Sequence, residues 1–92
     1  MQEIKRSTFL RNTTGRLVNY EKFRGCSWEQ HKRVLLKGTR ENGISLSYVD
    51  TEGETYKEHI YFQIQYYYRV SKSKYIVIRD RNEYFEITIL NA

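Results

Sequence analysis

From Thr55 to Val70 the chain alternates with a period of two, and that alternation limits its fold more than any other feature. The even positions Ile60, Phe62, Ile64, Tyr66, Tyr68 and Val70 are apolar or aromatic, while Lys57, His59, Tyr61, Gln63, Gln65, Tyr67 and Arg69 lie between them. Side chains on a strand point alternately to opposite faces, so this spacing predicts a strand rather than a helix. The even set is expected to face a core and the odd set to face solvent. The run exceeds the roughly five to six residues of an ordinary strand, so a bend is expected, with a bulge that shifts the face assignment partway along.

Shorter segments on either side read the same way. Tyr75–Arg79 and Tyr84–Leu90 are β-branched and aromatic, and the polar tetrapeptide Asp80-Arg81-Asn82-Glu83 separates them. In the second, Phe85, Ile87 and Ile89 share one face and Tyr84, Glu86 and Thr88 the other, the signature of a half-buried strand. Ile44–Val49 lies between the turn signals Asn42-Gly43 and Thr51-Glu52-Gly53-Glu54, and Ser71–Lys74 closes a further hairpin. Nearer the N-terminus, Ile4–Arg11 and Leu17–Phe23 are expected as strands around the turn Asn12–Gly15.

Ser27–Gly38 supports two readings. Ser27 with Gln30 makes a capping-box pattern and Gly38 a helix stop, whereas Val34 and Leu36 alternate as in a strand. The combination predicts one short helix or helical turn near residues 27–33 and a strand from about Arg33. The expected fold is therefore mainly β: one small domain spanning residues 1–92, an antiparallel sheet or partly closed barrel of SH3-like or OB-like kind.

Charge is unevenly distributed. Residues 1–40 hold ten basic side chains against three acidic ones, a net +7, while residues 41–92 sum to −2. A basic half on a near-neutral half points to an anionic partner, with nucleic acid first among them. The expected phosphate contacts are Lys5, Arg6, Arg11, Arg16, Lys22, Arg24, Lys32, Arg33 and Lys37, joined by Arg69. Tyr61 and Tyr67, on the odd face of the long strand, are expected to stack on unpaired bases.

Other chemistry is sparsely represented. Cys26 is the single cysteine, so an intrachain disulfide is excluded; it is expected as a small buried residue in a cytoplasmic protein. Trp28 is expected as a core or rim anchor. His31 and His59 match no zinc spacing, the five glycines are isolated from one another, and no cofactor or metal is expected. No apolar run is long enough to span a bilayer and no apolar leader opens the chain, so a membrane is not expected as a partner.

The leading expectation is a non-enzymatic module that binds nucleic acid, DNA or RNA. The alternative is a small inhibitor or adaptor of the type phages and mobile elements encode. Such a protein would bind a host protein or a nucleoprotein such as a CRISPR nuclease. A small ribonuclease using His31 and His59 comes third, and a sheet edge is expected to be available for a homodimer.

Overall fold

The computed structural model describes residues 1–90. Eight strands and one helix follow in the order β1 (Gln2–Ile4), α1 (Arg6–Thr13), β2 (Leu17–Arg24), β3 (Ser27–Gly38), β4 (Ile44–Val49), β5 (Thr55–Tyr61), β6 (Tyr66–Arg69), β7 (Lys74–Asp80) and β8 (Glu83–Ile89). All strand pairs are antiparallel and form one sheet in the order β1-β6-β7-β8-β2-β3-β4-β5.

That order forces the sheet to curl. β5 and β6 stand six steps apart, which in a flat sheet would be roughly 29 Å at about 4.8 Å per step. Only residues 62–65 connect them, and so short a segment reaches about 18 Å at most. The sheet bends accordingly without closing, and β1 and β5 remain its free edges. Tyr61 of β5 meets Phe85 of β8 across the concave side, with ring centroids 4.7 Å apart. The link is held by backbone bonds from Gln63 N–H to Glu41 O (3.1 Å), Ile64 N–H to Asn42 O (2.9 Å) and Gln65 N–H to Ile78 O (2.9 Å).

The concave side is the core. Val18, Tyr20, Val34, Leu36, Ile44, Leu46, Val77, Phe85 and Ile87 are fully buried there, with Ile64, Tyr67, Tyr75 and Ile89 nearly so. In β8 the inward set is Phe85, Ile87 and Ile89, as the alternation predicts.

Three expectations are corrected. First, residues 4–11 are not one strand: β1 ends at Ile4 and α1 begins at Arg6. Little local favours this helix: Arg11 in its last turn suits the helix dipole, but Lys5 at the N-cap makes no side-chain cap and no acid sits in the first turn. Tertiary contacts create it. Phe9 is fully buried against Tyr67 (4.9 Å) and Tyr75 (5.5 Å), and Arg6 donates to Thr39 O (2.7 Å) and Gly43 O (2.9 Å). Gly38 permits the approach, because a Cβ there would lie 2.8 Å from Leu10 Cδ1.

Second, no helical turn occupies residues 27–33. Ser27 pairs with Arg24 across a two-residue turn and β3 is strand throughout. Lys32 and Arg33 form a bulge: one residue lies between Val18 and Tyr20, but two lie between their partners Val34 and His31. Arg33 takes φ +56° and its N–H donates to Asn19 Oδ1 at 2.9 Å. The extra residue lets both His31 and Val34 face inward despite their opposite parity.

Third, the Thr55–Val70 run breaks at residues 62–65, where Gln63 takes φ +59°, as the expected bend requires, but the strands on either side of the break present the opposite faces to those expected. Ile60 and Phe62 are 44% and 40% exposed, whereas Tyr67 is 4% exposed. On β5 and β6 the odd positions His59, Tyr61 and Tyr67 turn toward the core, whereas in the link between them the inward residue is the even Ile64, with Gln63 and Gln65 exposed.

Candidate nucleic-acid interface

The expected phosphate contacts fall into separate groups. Arg11 at the end of α1, Arg16 in the following turn, and Arg69 on β6 converge on one pocket of about 250 Å³. Lys72 in the β6–β7 turn completes it, with Asn12 beside them and Tyr75 and Ile89 as an apolar floor. Among the described residues no carboxylate lines this pocket.

Backbone hydrogen bonds fix its walls. Thr14 N–H donates to Leu10 O (2.8 Å), Gly15 N–H to Leu36 O (2.8 Å) and Arg16 N–H to Thr13 O (3.1 Å), which ties the Arg16 turn to β3. Opposite, Val70 N–H donates to Lys74 O (2.9 Å), and Arg69 Nε donates to Ser71 O (3.2 Å), so that guanidinium keeps other donors free. Four cations with no acid among them concentrate positive charge here, and guanidinium groups in general suit phosphate oxygens through paired N–H donors.

The remaining cations go elsewhere. Arg6 is committed to the two carbonyls that anchor α1. Lys22 points to the concave side, 3.3 Å from Glu29 and 5.4 Å from the Tyr61 ring centre. Arg24 lies 3.9 Å from the buried Glu83 carboxylate, which Arg79 also holds at 2.8 Å. Lys32, Arg33 and Lys37 are exposed along β3, outside the pocket. Lys5 borders a second, larger groove of about 620 Å³ with Glu3, Ile4, Arg6, Asn42 and residues 64–67.

Tyr67 is no stacking platform. Its ring is core, its hydroxyl is buried without a partner, and burial raises its pKa while nearby Arg6 opposes the rise. Tyr61 is half-buried against Phe85. The tyrosines that reach solvent on β6 and β8 are Tyr66, 46% exposed, and Tyr84, 39% exposed. Parity along the sequence could not reveal this, because tyrosine occurs on both faces.

The outer face carries an aromatic row that sequence reasoning missed. Trp28, Phe23, Tyr84, Ile78 and Tyr66 stand directly opposite one another across β3, β2, β8, β7 and β6. Phe23 and Tyr84 stack at 4.8 Å. Trp28, expected as an anchor in the core or at its rim, is 54% exposed on this face and donates from Nε1 to Glu21 at 2.9 Å. Glu21 and Glu86 pair in the adjoining outward row. Their charge disfavours phosphate there. Cys26, expected to be buried, is exposed in the β2–β3 turn.

His31 and His59 are brought together, ring centroids 5.2 Å apart, on the concave side near β5. His31 stacks on Tyr20 at 4.6 Å, hydrogen-bonds through Nδ1 to the Tyr48 hydroxyl, and lies 3.5 Å from Glu29 through Nε2. His59 Nε2 is buried without a partner, and burial, followed by His31 and Lys57, lowers its pKa.

Among the described residues no three His, Cys, Asp or Glu side chains cluster as metal ligands, and no helix is long and apolar enough to cross a membrane. The chain matches no family model, no curated protein and no solved structure.

Proposed function

We propose that this protein is a non-catalytic module that binds nucleic acid through its phosphates, with Arg11, Arg16, Arg69 and Lys72 as the contacts. What supports this is their convergence: cations from α1, the α1–β2 turn, β6 and the β6–β7 turn meet in one pocket without a lining carboxylate. Each neutralised phosphate releases condensed counterions, so binding depends on salt in proportion to the contacts made. Fluorescence anisotropy with labelled single-stranded RNA, single-stranded DNA and duplex DNA tests it at low and near-physiological salt. Micromolar or tighter binding is expected, with log K falling linearly in log salt. Arg11→Ala and Arg16→Ala should each weaken binding and reduce the slope by about one. No binding of any oligonucleotide at low salt refutes the proposal.

The outer aromatic row favours a second occupant of different chemistry, a host protein or nucleoprotein. Trp and Tyr dominate binding hot spots, and Glu21 and Glu86 suit a basic protein surface better than a phosphate backbone. An association of that kind would tolerate salt and be lost with Trp28→Ala while surviving Arg11→Ala. The free edge of β5, where Tyr56 is 67% exposed, is the edge open to a second copy of the chain.

A further inference from the structure

The larger groove and the cation pocket lie at opposite ends of the same two elements, α1 and β6. It is lined by Glu3 and Ile4 of β1, Lys5 and Arg6 at the start of α1, and Tyr66 and Tyr67 at the start of β6, with Asn42, Ile64 and Gln65 between. The pocket is lined by Arg11 near the end of α1 and Arg69 at the end of β6. From Arg6 to Arg11 the helix rises about 7.5 Å, and from Tyr66 to Arg69 the strand advances about 10 Å. That offset equals two to three nucleotides at roughly 3.4 Å per stacked nucleotide.

The groove differs from the pocket in chemistry. It offers one exposed aromatic ring, two side-chain amides, one exposed ammonium and one carboxylate, Glu3, which offsets that ammonium, so it suits a base rather than a phosphate; Tyr68 stands 6.5 Å from Tyr66 on the same face. About 620 Å³ is within the size range of pockets for small organic ligands. An aromatic face beside amides is how unpaired bases are held: the ring stacks and the amides meet the base edge.

We infer that the groove seats an unpaired base of a single strand, stacked on Tyr66, while the neighbouring phosphates of that strand occupy the Arg11–Arg16–Arg69–Lys72 pocket. This rests on the nucleic-acid reading and narrows it to single-stranded ligands. In a duplex the bases are stacked and paired, so the groove would stay empty and only the pocket would be used.

The test compares a labelled single-stranded oligonucleotide with an abasic oligonucleotide of the same backbone and length, and with a duplex. Each is titrated onto the protein, onto Tyr66→Ala and Tyr66→Phe, and onto the Arg11→Ala/Arg16→Ala double variant. The intact strand is expected to bind about five-fold or more tightly than the abasic strand, with similar salt slopes. Tyr66→Ala should remove that margin and Tyr66→Phe should keep it. Tyr66 is 46% exposed and outside the core, so a cooperative thermal melt close to the parent's is expected and confirms that the variant folds. Equal affinity for intact and abasic strands, or an unchanged margin in Tyr66→Ala, overturns the base site. If salt-dependent binding still falls in the arginine double variant, the phosphate reading survives that failure. If no oligonucleotide binds, both fall together.

Discussion

Phe9→Ala probes how the helix is held, and through it the position of Arg11. The Phe9 side chain is fully buried and packs against Tyr67 at 4.9 Å and Tyr75 at 5.5 Å. Truncating a buried phenylalanine removes its transfer free energy and leaves a cavity, together about 3–5 kcal/mol. A chain of 92 residues has a total stability of about 5–14 kcal/mol, so the variant should be marginal. α1 has little compensating local stability, because it is short and its N-cap is a lysine without a side-chain cap. Urea unfolding monitored by far-UV circular dichroism and by Trp28 emission should show a midpoint lower by roughly 2 M or more. Phe9→Leu, which refills most of the volume, should recover most of that loss. Arg11 lies on the same helix, so oligonucleotide affinity should fall in Phe9→Ala under conditions where the sheet remains folded. A loss below about 1 kcal/mol, outside the usual range for such a truncation, would show that Phe9 does not anchor α1 and would refute the account of how the pocket is built.

Three further perturbations have definite signs. Arg33→Gly removes a side chain from a left-handed residue, worth about 1–2 kcal/mol, less about 0.5–1 kcal/mol for glycine's extra chain entropy; a Tm higher by about 3 °C is expected, and a lower one would contradict the bulge. Gly43→Ala would put a Cβ 2.2 Å from Thr39 Oγ1 and 2.9 Å from Tyr61 O, and should cost about 2 kcal/mol or more by overpacking, read from chemical denaturation. His59 has a folded pKa below its unfolded value of about 6.5, so the native state binds fewer protons. Stability is then full above that value and declines as pH falls from it towards the folded pKa. Melts between pH 7.5 and 5 should show that decline, and His59→Asn should flatten it; equal slopes in both proteins would place the proton elsewhere.

The strands that were legible are those where one face is apolar and the turns carry their own chemistry. β8 is the clearest: Phe85, Ile87 and Ile89 alternate with Tyr84, Glu86 and Thr88, and burial follows the alternation. β5 and β6 misled for a physical reason. Tyrosine is amphipathic, and with tyrosines on both parities the exposed Ile60 and Phe62 outweighed the inward Tyr61 and Tyr67. The β3 bulge hid the strand character of residues 27–33, because a pattern of period two is interrupted where Arg33 is inserted. α1 could not be read at all, since Tyr67, Tyr75, Thr39 and Gly43, which hold it, are remote in sequence. For the same reason the charge imbalance pointed to an anion but not to the pocket. Arg11 and Arg16 meet Arg69 and Lys72 only because the sheet places β6 against β1 and the helix.

The pairing of β1 with β6 also dictates when the molecule can exist. Glu3 lies opposite Tyr68, and at about 5–20 residues per second a ribosome needs roughly 3–13 s to make the intervening chain. Until then the first strand has no partner, and the helix after it lacks Tyr67 and Tyr75 to bury Phe9. Contacts this distant in sequence also place folding toward the millisecond-to-second range. The segment that carries Arg11 and Arg16 is therefore made before Arg69 and Lys72 can join it, so a polyanion nearby would meet those charges singly rather than as one pocket.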